Sequence, residues 1–238
     1  MHGESERTVS QQIGTLNEGP LHAALKAWYA RPGDALEVQV SGYVVDIVRG
    51  DLLIEVQTGS FAAIKNKLLA LTAVHPLRLV YPVPRDRWLV RVDAGGTRLS
   101  RRKSPKHGGV EDVFAALVSF PHLLARPNFS LDVVVTREEE IRRHEPGRAW
   151  RRRGWVTVER RLLEVVDHRL FETPASLAGL LPTALPDPFT TADLARALGR
   201  PRWLAQKMAY CLRHMDLITP DGHQGRSVLY TRPNPPRS

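Results

Sequence analysis

The chain reads as an α/β protein with a small helical module near its C-terminus. Three observations carry that reading. Two apolar runs, Tyr43 to Val48 and Leu52 to Val56, flank Arg49-Gly50-Asp51, the signature of a β-hairpin. Runs with helical spacing, 21–29 and 61–71, bracket that hairpin. Residues 190–215 then hold two helical stretches separated by Gly199.

Taken in order, residues 1 to about 12 are polar and expected to be loose. The spacing predicts a helix over Leu21–Tyr29, with Glu18 at its start, where the helix dipole favours a carboxylate. In the hairpin, Gly50-Asp51 makes the turn. Asp46 interrupts the first run and Glu55 the second. Period two places Glu55 and Gln57 on one face of the second strand, with Ile54 and Val56 on the other. A carboxylate inside an apolar strand is costly unless something pairs with it. A divalent cation held by two carboxylates is one such partner, and oxygen ligation suits Mg²⁺ or Mn²⁺. The alternative is a solvent-facing Asp46 at a strand edge, with Glu55 and Gln57 forming the polar face of a half-exposed strand. Thr58-Gly59-Ser60 follows, with Ser60 as the N-cap of the helix 61–71, and then a strand over Leu77–Val83.

This arrangement resembles the PD-(D/E)XK nuclease superfamily over roughly residues 15 to 92. The matching residues are Asp46 and then Glu55-Val-Gln57, with Gln where Lys is usual. The order of elements (helix, three strands, helix, strand) agrees as well. The resemblance implies a restriction-endonuclease-like core, a mixed sheet flanked by helices. It implies that Asp46 and Glu55 hold Mg²⁺ or Mn²⁺, with Glu18 helping, and that Gln57 orients water or phosphate. The implied reaction is metal-dependent hydrolysis of phosphodiester bonds in DNA. An amide cannot act as a general base, so the metal must do more. The Gln57 substitution also fits the alternative, a catalytically inactive nuclease-fold protein that binds or regulates DNA. An RNA substrate stays open.

Charge is unevenly placed. The net charge is +9, with about −1 on residues 1–84, about +8 on 85–161 and about +2 on 162–238. A carboxylate-bearing segment beside a basic one suits a polyanion drawn across a metal site. The single cysteine, Cys211, excludes an intrachain disulfide framework and a cysteine-based zinc site. It lies among apolar helix positions and reads as a small buried hydrophobe. No apolar run approaches membrane-spanning length, and residues 1–7 lack a signal-peptide pattern, so no membrane partner and a cytoplasmic location are expected. P-loop, nucleophile-elbow and dinucleotide motifs are absent, which removes support for ATP-driven or acyl-transfer chemistry.

The middle of the chain reads as a strand over Asp86–Asp93, a basic loop or hairpin tip over 95–109, a helix over 110–119, a short strand at Leu131–Val135 and another over Thr157–Asp167. Between the last two lie Arg142, Arg143, Arg148, Arg151, Arg152 and Arg153, interleaved with Trp150 and Trp155. Guanidinium groups pair with phosphate, and Trp stacks on an unpaired base. The alternative is a solvated basic loop whose tryptophans pack back onto the body.

At the C-terminus, Thr190 and Asp193 resemble a capping box, Gly199 ends the first helix and Pro201 opens the second. Leu204, Met208, Cys211, Leu212 and Met215 form an apolar stripe. Two short strands then surround a polar turn. The segment resembles the winged helix-turn-helix family over about residues 186 to 232. The resemblance implies DNA contact through Arg202, Gln206, Lys207, Tyr210 and Arg213, with Arg226 in the wing. The alternative use of that face is a homodimer or protein partner. The expected organisation is a flexible stretch 1–12, a nuclease-like domain 13–172 with a basic extension at about 93–161, a linker 173–185, and a winged-helix domain 186–238.

Overall fold

The computed structural model describes residues 19–232. The expected loose stretch 1–12 and Glu18 lie outside the described residues. The protein is α/β, with a mixed sheet flanked by helices.

Helix α1 (Pro20–Tyr29) starts with Pro at its first position, where the missing N–H is no loss, and buries Leu21 and Leu25. Three antiparallel strands follow: β1 (Ala35–Val40), β2 (Tyr43–Arg49) and β3 (Leu52–Val56). The β2–β3 register pairs Ile47 with Ile54 and Arg49 with Leu52, and Gly50 turns the corner at φ +55°. Ser60 accepts from the Ala62 N–H and opens a 3₁₀ turn that leads into α2 (Lys65–Leu71). The chain then returns as β4 (Leu77–Val92), parallel to β3.

β4 absorbs two expected strands into one, with an irregularity between Pro84 and Asp86. Its first half lies between β3 and β6 (Phe129–His144), and its second half between β6 and β5 (Arg98–Lys103). β7 (Trp155–Phe171) runs antiparallel to β6 along nearly its whole length. The described residues thus form a seven-stranded sheet, ordered β1-β2-β3-β4-β6-β7 with β5 on the distal half of β4. The ends of β4, β5, β6 and β7 extend past the core as a ribbon. Strand β6 is far longer than Leu131–Val135. The polar run Thr136 to Glu140 hides its continuation, although Thr136, Glu138 and Glu140 are buried. Residues 110–119 are shorter in helix than expected: a 3₁₀ turn and then α3 (Phe114–Leu117).

Each face of the sheet carries an apolar cluster. Ile47, Ile54, Val56, Val80 and Val134 pack under α1. The larger cluster joins the other face to α2 and α3. It continues into the C-terminal region without a break. Residues 173–185 include α4 (Pro174–Ala178), and Leu177 and Leu185 are buried in that core. Strand β8 (Phe189–Thr190) precedes α5 (Thr191–Leu198), whose capping box is made by Thr190 and Asp193 and whose end is set by Gly199 at φ +62°. Pro201 sits just before α6 (Arg202–His214), one position earlier than expected. Strands β9 (Thr219–Gln224) and β10 (Ser227–Thr231) complete a three-stranded antiparallel sheet ordered β8-β10-β9. Leu204, Met208, Cys211 and Leu212 of α6 are fully buried in the main cluster with Phe114, Leu117 and Leu123. Burial pushes the Cys211 thiol up to about 12, which keeps it protonated and inert.

Candidate functional site

The two hairpin carboxylates stand on neighbouring strands where β3 ends, Asp46 held from α1 and Glu55 from α2. Continuing the β2–β3 register would set Asp46 opposite Glu55, but the ladder stops at Ile47 and Ile54. There the Asp46 side chain takes over: its Oδ2 accepts from the Val56 N–H at 2.8 Å. On the other side of β2, Glu37 adopts φ +53° and the β1–β2 register skips the Glu37–Asp46 pair. Asp46 is thus held at a local break in the sheet.

Two helices supply partners to this break. From α1, His22 Nε2 stands 3.3 Å from Asp46 Oδ2. From α2, Lys67 Nζ forms a close ion pair with Glu55 Oε1 and donates to the Val44 carbonyl at 2.6 Å. Glu55 is only 6% exposed, and its second oxygen, Oε2, is buried without a hydrogen-bond partner. Burial, reinforced by the Asp46 charge, pushes the Glu55 carboxyl up to about 7, even against the Lys67 ammonium. Burial would raise Asp46 too, but the His22 hydrogen bond, the Val56 N–H and the His22 and Lys67 charges hold it below its ordinary value. Two neighbouring carboxyl groups are therefore pushed apart in acidity.

Gln57 is not part of this site. Its Nε2 donates to the Ser60 carbonyl at 3.1 Å and its Oε1 accepts from the Gly59 N–H at 3.2 Å, so its amide closes the loop after β3. Lys67 and His22 are the site residues that sequence reasoning missed. A signal for Lys67 existed: it sits between Ile64 and Leu71 on the buried stripe of its helix, where a lysine needs a partner. Among the described residues, no three His, Cys, Asp or Glu side chains are arranged to hold a metal ion.

A cleft of about 250 Å³ opens beside this site, lined by His22, Thr58, Thr157 and Arg160 among others. Arg160 donates to the Thr58 carbonyl and so fastens β7 to the loop after Gln57. The expected arginines lie at the far end of the ribbon. Arg142 pairs with Glu140 at 2.7 Å, and Arg143 and Arg148 pair with Glu145 at 2.9 and 2.6 Å. Arg151, Arg152 and Arg153 are exposed. On α6, Arg202, Gln206, Tyr210 and Arg213 share the exposed side, and Arg226 is exposed beside the β9–β10 turn. Lys207 is different: it is half-buried, its Nζ lies 3.4 Å from the Ala115 carbonyl, and it ties α6 to α3.

The chain belongs to the family described as Domain of unknown function (DUF8091), which matches residues 19–172. It is also similar to a protein of Treponema pallidum (strain Nichols) printed as "Uncharacterized protein". The two are 32% identical over 225 residues, which covers 94% of this chain and 88% of the relative. No solved structure matches.

Proposed function

We propose that the protein is a metal-dependent nuclease with a PD-(D/E)XK-type core, and that residues 186–232 form a winged helix that helps place its substrate. One observation carries the reading: Asp46 and Glu55, carboxylates on adjacent strands, both lie at the end of β3, and Glu55 is paired with a lysine from the following helix. Support also comes from the order and direction of the strands, antiparallel through β1, β2 and β3 and then parallel into β4. For the winged helix, the support is the pairing of α5 and α6 with a three-stranded sheet and an exposed polar side on α6.

The donor chemistry suits Mg²⁺ or Mn²⁺. Asp46 and Glu55 offer hard oxygen ligands, and Glu55 Oε2 is an orphaned buried oxygen. Such an ion retains waters, so two protein carboxylates do not have to complete its shell. When bound, it would lower the pKa of a water and stabilise charge on the phosphate. The rest of the task falls on the chain's own residues. Asp46 and Glu55 present the oxygens. Lys67 holds Glu55 in place and brings a positive charge next to it. His22 fixes Asp46 and lies at the cleft through which a phosphate would enter. Lys67, coming from α2, takes the position that Gln57 leaves.

A second reading is a nuclease-fold protein that binds DNA without cutting it. The engagement of the Gln57 amide within its own loop favours it, as does the lack of a third metal-binding side chain among the described residues. The deciding experiment is cleavage of single-stranded, duplex and branched DNA, and of RNA, with Mg²⁺, Mn²⁺ or EDTA. Metal-dependent cutting that Asp46→Ala and Glu55→Ala abolish is the expected result. Lys67→Ala should lower the rate by about 10- to 100-fold, as losses around a metal ligand do. Cutting by the Asp46→Ala protein at the wild-type rate would refute the assignment.

A further inference from the structure

The cleft beside His22 does not end at Arg160. Thr157, on its wall, also lines a second hollow with Trp150, Arg151 and Arg152. That hollow shares Arg151 and Arg152 with a third, of about 340 Å³, walled by Arg91, Arg142, Arg153 and Trp155. The three adjoin in series along β7. From Arg160 to Trp155 the ladder advances four steps, with one bulge residue, or roughly 14 Å at about 3.4 Å per step. Alternation carries Val134, Thr136, Glu138, Glu140 and Arg142 along one side of β6, and Val134 packs under α1 at the core end. The third hollow and the His22 cleft therefore share a side of the sheet.

The far end of this track is a constructed tip. Ala149 and Arg153 adopt φ +48° and +50°, conformations that cost non-glycine residues about 1–3 kcal/mol each. Between them, Trp150-Arg151-Arg152 form one 3₁₀ turn. Gly154 adopts φ +81°, a conformation that disfavours side chains, and a Cβ there would come within 2.5 Å of the His144 ring and have to displace it. The result is a Trp150 that is 80% exposed. Of the five arginines in the third hollow, Arg142 and Arg152 share the single carboxylate Glu140. Among the described residues, Arg91, Arg151 and Arg153 have no carboxylate partner; the Arg91 guanidinium lies over the Trp155 ring at 4.4 Å. A strained turn that exposes an indole amid unneutralised guanidiniums suits a ligand with both phosphates and free aromatic faces. Duplex DNA offers the phosphates but keeps its bases stacked. An unpaired strand offers both.

We propose that this track takes a single-stranded nucleic-acid tail, running from the His22 cleft beside Asp46 over the β6–β7 ribbon, with Trp150 stacked on an unpaired base. The direction of the track rests on the nuclease reading, whereas its affinity for a tail does not. At duplex spacing, about 14 Å covers about four phosphates, so a tail of that order fills it.

The test is fluorescence anisotropy of the full chain in EDTA. Blunt duplexes are compared with duplexes carrying six-nucleotide 5′ or 3′ tails. The wild type should prefer one tailed form. Trp150→Ala should cut the preference about tenfold, within the range seen for a lost stacking contact, while Trp150→Phe keeps most of it and blunt-duplex binding barely changes. Equal affinity for blunt and tailed DNA, or a preference that Trp150→Ala does not move, overturns the proposal. So does binding to a polyglutamate probe with the same Trp150 dependence, which would make the tip a protein contact. Because no metal is present, tail preference without any metal-dependent cleavage would keep the track and remove the nuclease reading. Cleavage without tail preference would do the reverse.

Discussion

The β2–β3 hairpin and the β6–β7 ribbon are both antiparallel pairs that carry charge, and they treat it in opposite ways. The hairpin turns through Gly50 and draws its carboxylates inward, leaving Glu55 6% exposed with one oxygen unpaired. The ribbon ends in a strained turn and sends its guanidiniums outward. The ribbon buries two acids: Glu138, whose Oε1 accepts from Thr136 while its Oε2 has no partner, and Glu140, which accepts from Arg87, Arg142 and Thr157. Burial raises the Glu140 carboxyl, yet those hydrogen bonds and the Arg87 and Arg142 charges bring it below its usual value. Glu55 is shifted the other way. The difference lies in the number of donors. Glu140 has a full set of partners, and Glu55, like Glu138, has not; Glu55 is pushed up by burial and in part by the charge of the neighbouring Asp46.

The largest effect expected from this contrast is on nucleic-acid binding. Replacing Arg151, Arg152 and Arg153 together by Ala should flatten the slope of log affinity against log salt by about two to three, since each phosphate contact contributes about 0.7–0.9. In EDTA, neutralising the hairpin with Asp46→Asn and Glu55→Gln should leave that slope unchanged and raise affinity slightly. Anisotropy titrations from low to moderate salt read both. If the two sets of substitutions shift the slope alike, the division of labour is wrong.

A smaller effect is expected on stability. The Glu55 carboxyl is shifted from 4.5 to about 7 in the folded chain. The folded state therefore binds more protons than the unfolded state between those values, and stability without metal falls as pH rises through that window. Glu55→Gln should remove this dependence. At pH 8 in EDTA it should raise Tm by a few degrees, at about 2–4 °C per kcal/mol, and below pH 5 it should not. Thermal melts at the two pH values check the sign. A variant that melts lower than wild type at pH 8 would show that Glu55 is held as a satisfied ion pair with Lys67.

Much of the hairpin was legible because its signals are local. The Gly50 turn, the apolar runs and the acids within them all lie within fifteen residues. The Ser60, Thr190 and Gly199 caps were legible for the same reason. His22 was not, since it reaches the site from a separate helix, and Lys67 showed only as a lysine on the buried stripe of its helix. Gln57 was assigned by motif, but its amide found nearer partners in its own loop. The ribbon was misjudged because Arg137 to Glu140 look like a loop to a hydrophobicity pattern, while ladder bonds to β4 and β7 hold them in a strand. The C-terminal stripe was read correctly, but not what it faces. Leu204, Met208 and Leu212 complete the main core, so removing the C-terminal helices would open that core.

Direct titration of Mn²⁺ by calorimetry tests the central claim most closely. Wild-type protein at pH 8 should bind the ion saturably. At pH 6 binding should weaken, with a heat that depends on the buffer, because Glu55 must first release its proton. Asp46→Ala combined with Glu55→Ala should show no such binding at either pH. Identical titrations for the wild type and the double variant would mean that these two carboxylates are not a cation site, and the nuclease reading would fall with them.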